Sequence, residues 1–130
     1  MPTIAVLGTL DTKGVEVRFL AEQIRASGCD TLVVDFGVFA PAELEPDVSR
    51  ESIARAAGVE IEALAESGDR GRAISALTQG VEKIVPELYE QGRLQAVIGI
   101  GGSAGTTMAT AAMRALPMGV PKVMVSTLAG

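Results

Sequence analysis

In Ala96-Val97-Ile98-Gly99-Ile100-Gly101-Gly102-Ser103-Ala104-Gly105-Thr106-Thr107, a short apolar run passes straight into glycines and hydroxyls. Residues 96–100 are nearly continuous in apolar residues instead of alternating. That marks a strand buried on both faces, as in a parallel sheet. Residues 106–116 then read as a helix, which Pro117 stops. Working outward, residues 3–7, 31–36 and 122–126 repeat the same strand character. Between the first two, Val15, Phe19, Leu20 and Ile24 recur at helical spacing, and Ser27-Gly28 closes that helix. The order is strand, helix, strand, long excursion, strand, helix, strand. It predicts right-handed crossovers in a three-layer α/β fold, with four parallel strands in the order 2-1-3-4.

The excursion, residues 37–95, is too long for one simple crossover. Residues 39–48 are rich in proline and acid and read as a loop. Ser49 is placed to cap a short helix over 50–57, and residues 60–66 form another. Asp69 caps a longer helix over 72–90, with Ile74, Leu77, Val81, Ile84 and Leu88 on its apolar face. Gly80 and Pro86 weaken or bend that helix. From Asp35 to Asp69 there are nine carboxylates against two arginines, so the excursion, centred on residues 38–70, is an acidic lobe on a slightly basic frame. A solvated helical face and a partner surface are the two readings of that charge.

Composition narrows the function. The chain has 130 residues, 48% of them hydrophobic, which suits one domain with a real core and excludes a disordered chain. A net charge of −5 with only 3% aromatic residues argues against a nucleic-acid binder. There is no histidine, which removes Ser–His and Cys–His catalysis and imidazole metal sites. The single cysteine, Cys29, cannot close an internal disulfide, so a reducing cytoplasm is the expected setting. The apolar run after Met1 is too short for a secretory signal, and no stretch approaches the ~18 apolar residues of a membrane span.

Ligands of parallel sheets bind outside the carboxyl ends of the strands, where the strand order reverses. Three loops are predicted on that edge, residues 8–14, 101–107 and 126–130, and the binding reading rests on their convergence; the first two carry the most chemistry. In Gly101-Gly102-Ser103-Ala104-Gly105-Thr106, glycines allow close backbone approach, hydroxyls add donors, and the following helix offers free N–H groups at its positive end. That suits phosphate; a tight packing turn is the alternative. Gly8-Thr9-Leu10-Asp11-Thr12-Lys13-Gly14 is neither a Walker A motif nor Gly-x-Gly-x-x-Gly. It still brings a cation, an anion and two hydroxyls to a helix entrance. Lys13 suits phosphate, and Asp11 suits a ribose hydroxyl or Mg²⁺ held through water. Against this, Asp11 or Thr12 serves as an ordinary helix cap. Asp35, ending the second strand, occupies the place of a ribose-binding acid, or else is a capping residue. Arg70, in Asp69-Arg70-Gly71, either reaches an anion or belongs to a plain helix start.

These blocks occur in order with Asp35-Phe36-Gly37-Val38, Ala112-Met113-Arg114-Ala115-Leu116-Pro117 and Pro121-Lys122-Val123-Met124-Val125-Ser126-Thr127. Together they resemble the tobamovirus-resistance-protein-like ATP-binding domain family, along essentially the whole chain. The resemblance implies a Rossmann-like lobe that binds ATP, with Thr9, Asp11, Thr12, Lys13 and the loop 101–106 as nucleotide contacts. It also implies a second lobe following in the same protein. This sequence departs from the family after Thr127, where Leu128-Ala129-Gly130 replaces the usual Val-Ala-Ser-Gly-Asp.

The sequence thus predicts residues 1–130 to be a nucleotide-binding lobe, the first half of a larger two-lobed unit. ATP is the expected ligand, with Mg²⁺, and no nucleic acid or membrane is a partner. A final strand without a covering helix predicts a homo-oligomer or a second lobe packed on the region from Val123 to Leu128. The rival functions are a protein-interaction module without catalysis and half of an ATP-dependent enzyme acting on a small molecule.

Overall fold

The computed structural model describes residues 1–127. The predicted sheet is present: β1 (Thr3–Gly8), β2 (Asp30–Asp35), β3 (Ala96–Gly101) and β4 (Lys122–Ser126) pair in parallel in the order β2-β1-β3-β4. Helices lie on both faces, giving the Rossmann-like three-layer arrangement. On one face, α1 (Leu10–Ala26) packs Leu10, Val17 and Ala21 against Val6 and Val33. On the other lie α2 (Arg50–Ala56), α3 (Ile61–Ser67), α4 (Arg70–Glu90) and α5 (Ser103–Arg114). Their core includes Ile53, Leu64, Leu77, Val81, Met108 and Ala112 with Leu7 and Val34. No helix among the described residues is long and apolar enough to cross a membrane.

Several boundaries differ from the sequence reading. Helix α1 starts at Leu10, five residues ahead of Val15, and runs through the Lys13-Gly14 step with a non-helical kink at Lys13 (φ −119°, ψ 21°). Its cap position is Thr9, whose side chain makes no capping bond to the backbone. The carboxylate of Asp35 takes that role from β2, accepting from Leu10 N–H at 3.1 Å. Asp11 and Thr12 are therefore first-turn residues and not the cap. The buried stripe of α1 is Leu10, Gly14, Val17 and Ala21. Val15 and Phe19, expected on the buried face, are 55% and 63% exposed. The small residues win because the backbone comes close: a Cβ on Gly14 would overlap the carbonyl oxygen of Ala42. Helix α5 likewise begins at Ser103, three residues before Thr106.

The excursion contains the three helices predicted for it, and Ser49 and Asp69 cap α2 and α4 as read, accepting from Ser52 N–H and Arg72 N–H. Its return stretch bonds to the outer edge of β2, through Val48 N–H to Val33 O (3.0 Å) and Asp35 N–H to Val48 O (3.0 Å). That edge is thereby closed. Gly80 does not break α4; it is the point where α2 crosses, with Ile53 against its Cα. At the other side of the sheet, β4 is half-buried on one face and exposed on the other. Val123 and Val125 are 53% and 50% exposed, because α1 lies over β1 and β2 and no second helix among the described residues covers β4 on that side. The predicted contact of Leu128 lies outside the described residues.

Candidate functional site

The carboxyl ends of β1 and β3 are neighbours, as the switch-point argument requires. Above them is a cavity of about 170 Å³ lined by Thr9, Asp11 and Thr12 from the first loop and Gly102, Ala104 and Gly105 from the second. Phe36, Gly37, Val38, Ile74, Leu77 and Met108 complete its wall. At its floor α5 begins. The first backbone bond of α5 runs from Thr106 N–H to Gly102 O, at 3.0 Å. The N–H groups of Ser103, Ala104 and Gly105 precede it, and Gly102 has no side chain to cap them. Opposite, the hydroxyls of Thr9 and Thr12 share a 2.7 Å hydrogen bond. Amides without a partner among the described residues, with the helix dipole, on one side and paired hydroxyls on the other are chemistry suited to anionic oxygens, beside the Asp11 carboxylate on the same wall.

The remaining predicted residues stand around this cavity and not on its wall. Gly8 ends β1 in the core, where a Cβ would stand 2.7 Å from Val17 Cγ2. Gly101 packs on the first turn of α5, 2.7 Å from Gly105 C by the same measure. Ser103 is exposed, its carbonyl accepting from Thr107 Oγ1. The Thr106 hydroxyl pairs with Ser126 Oγ at 2.8 Å, tying α5 to the end of β4. Lys13 lines a different depression, with Val15, Phe19, Leu20, Ile100, Val125 and Thr127. Thr127 links the two regions, because its Oγ1 is the nearest atom to a Cβ on Gly102, at 3.6 Å. Lys13 and the second loop thus share Thr127 as a neighbour.

Asp35 is fully buried, and its Oδ1 accepts from Leu10 N–H and from Gly37 N–H at 2.8 Å. The carboxylate joins β2, the start of α1 and the loop after β2 into one unit. Burial pushes its pKa above the ordinary 3.8, and the nearby Asp11 charge adds to this. The bonds from Gly37 and Leu10 and the Arg50 charge oppose the rise without cancelling it. Folded protein therefore holds this proton more tightly than unfolded chain, and this residue's contribution to stability declines as pH rises from 3.8 through the raised value. Asp35→Asn keeps an acceptor for both N–H groups and removes the titration. Thermal midpoints measured from about pH 4 to about pH 8 are expected to fall less toward high pH in Asp35→Asn than in the parent. Parallel curves for the two proteins would exclude the effect.

Asp11 ties the same loop to the cavity. Its Oδ2 accepts from Phe39 N–H at 3.2 Å, while Oδ1 lies buried beside Gly37 without a partner among the described residues. No group of three or more acidic or cysteine side chains able to hold a metal is found among the described residues. Phe36, Gly37, Val38, Ile74 and Leu77 were not identified as wall residues from sequence, since the excursion's return across the sheet has no local signature. The Asp35-Phe36-Gly37-Val38 block was the one hint.

The match to a family model is decisive for relationship. The model described as "Uncharacterised protein family (UPF0261) N-terminal domain" matches residues 2–130. The chain belongs to the UPF0261 family. It is 44% identical to a UPF0261 protein of Clostridium tetani over 126 residues, covering 97% of this chain and 31% of that protein. A UPF0261 protein of Rhizobium meliloti is 41% identical over 129 residues, with 99% and 31% covered. The tomato "ToMV susceptible protein tm-1(GCR26)" is 32% identical over 143 residues, with 98% and 19% covered. The last of these agrees with the resemblance drawn from the motifs. The chain thus spans about a third of the length of its bacterial UPF0261 relatives.

Proposed function

We propose that this UPF0261 domain is a nucleotide-binding lobe that takes ATP by its phosphates. One observation carries the reading. Thr9, Asp11 and Thr12 meet Gly102, Ala104 and Gly105 around a single cavity at the neighbouring carboxyl ends of β1 and β3. The amides of Ser103 to Gly105 take phosphate oxygens, and the Thr9 and Thr12 hydroxyls take those on the facing side. Lys13 turns from the depression it shares with Thr127 to add one positive charge. Mg²⁺ enters on the phosphates and not in a protein cage, and Asp11, the acid on the cavity wall, would accept from its water shell. Asp35 holds the loops and does not touch the ligand.

Calorimetric titration of the chain with ATP tests this. Binding is expected, weakened roughly 10- to 100-fold by Lys13→Ala, the loss of one charge-assisted contact. A parent chain that stays folded and takes up no ATP would sink the reading.

The half-open face of β4 has its own consequence. Val15, Phe19, Val123 and Val125 form an exposed apolar strip that a second copy of this chain, or the second lobe, covers. Sedimentation equilibrium of the chain alone is expected to show a dimer or larger species, and Val125→Lys to return it to monomer. A parent that sediments as a monomer at high concentration contradicts this.

A further inference from the structure

A second cavity opens beside the first. It holds about 230 Å³ between the loop after β2, the α3–α4 turn and the first turns of α4. Val38 and Ile74 line both cavities, so the two share a wall. Its other contacts are mostly apolar, Leu64 and Ala73 among them. Polar groups are few. The Asp69 carboxylate is occupied by Arg72 N–H at 3.0 Å. Arg70 lines the cavity and makes no ion pair among the described residues. Phe39, also on the wall, is 62% exposed although the chain has only three phenylalanines. Its backbone N–H is fixed by Asp11, which stands on the wall of the first cavity. The two cavities are therefore held in one geometry by the same carboxylate.

The chemistry of this pocket excludes most of a nucleotide. A phosphate would find one cation and an apolar wall in a strongly acidic lobe. A ribose would find too few partners for its hydroxyls. A flat, weakly polar ring fits: it can lie on Phe39, bury its faces against Val38 and Ile74, and accept from Arg70 at one edge. The volume points the same way. About 230 Å³ falls below the ~300–1,000 Å³ of a complete small-molecule site, as expected for one compartment of a longer ligand.

We infer that this second cavity is a nucleobase subsite, in which Phe39 and Arg70 hold the base of the nucleotide whose phosphates occupy the first cavity. The inference rests on the phosphate reading above. The strong acidity of the excursion is then tolerated because the part of the ligand lying there carries no charge. The exposed phenylalanine and the unpaired arginine acquire one shared role.

The test compares two probes, ATP and inorganic tripolyphosphate, by calorimetry on the chain. The variants are Phe39→Ala, Arg70→Gln and Ala65→Phe, the last placing a ring in the cavity. Phe39 and Arg70 are exposed, so their replacement leaves the core intact, and circular dichroism checks each fold. The parent is expected to bind ATP more tightly than tripolyphosphate. Phe39→Ala and Ala65→Phe are expected to lower ATP affinity roughly 5- to 100-fold, the range of lost base stacking, and Arg70→Gln roughly 10-fold, while all three leave tripolyphosphate unchanged. If tripolyphosphate binds but ATP binds no tighter, or the variants weaken neither probe or both equally, the subsite is overturned while the phosphate cavity stands. If the parent binds neither probe, the phosphate reading falls and the subsite with it.

Discussion

Gly80→Ala is expected to destabilise the domain by about 2–3 kcal/mol, although alanine is the better helix former. Two effects oppose each other at this position. Replacing a mid-helix glycine by alanine normally gains about 1 kcal/mol. Here the added Cβ would overlap the carbonyl oxygen of Ile53, and it would stand 2.9 Å from the carbonyl carbon and 2.8 Å from Cγ2. Those are chiefly backbone atoms of α2, and Ile53 is itself fully buried, so no flexible side chain can swing away. Relief requires α2 and α4 to part, which opens the core around Leu77 and Val81. Close packing makes that the larger effect. Gly71→Ala is the matched control. It lies in the same helix with only Asp69 Oδ1 near, at 3.6 Å, and is expected to be neutral or mildly stabilising. Urea unfolding midpoints for the two variants decide it. A Gly80→Ala midpoint at or above that of Gly71→Ala would show that α2 does not press on α4 as described.

Gly102→Val is expected to leave the fold intact and reduce ATP affinity by about 100-fold or more. Its φ is −85° and its ψ −143°, so the backbone there is not left-handed. A Cβ there meets only Thr127 Oγ1, at the ordinary distance of 3.6 Å. Gly102 nevertheless lines the cavity directly before the free amides of α5. Valine's two methyl groups would keep phosphate oxygens from those amides, and losing two charge-assisted bonds amounts to roughly 3 kcal/mol or more. Gly101→Val makes the contrast. Its Cβ would stand 2.7 Å from Gly105 C and 2.8 Å from Thr106 N, so it displaces the start of α5 and lowers stability as well as binding. Calorimetry with ATP, paired with thermal melts, separates the two. Full ATP affinity in a folded Gly102→Val chain would place the phosphates elsewhere.

The site was legible in the sequence as loops at one sheet edge, of which residues 128–130 lie outside the described residues, and the structure sorts the members of the first two by depth. Thr9, Asp11, Thr12, Gly102, Ala104 and Gly105 reach one cavity. Asp35 and Gly101 build its supports, and Thr106 anchors α5 to β4. Residue type alone does not separate these roles, because a carboxylate that caps a helix and one that meets a ligand look the same in a string of letters.

Strand identity, parallel pairing, the order of the sheet and the presence of a glycine-rich loop ahead of α5 were all determined by the sequence alone. Each depends on signals a few residues long: continuous apolar runs, helical spacing between them, and glycine or proline at the breaks. Tertiary structure decided what depends on residues far apart in the chain. Helix α1 begins at Leu10 because Asp35 caps it from 25 residues away. Its buried face runs through Gly14 and Ala21, and not Val15 and Phe19, because the loop after β2 presses its backbone against Gly14. The cavity joining Phe39 to Arg70 exists only because the excursion folds back over the sheet edge. Hydrophobicity along the chain specifies which segments are strands and helices, but close backbone approach and distant caps decide which face of each is buried and which side chain is left for a ligand.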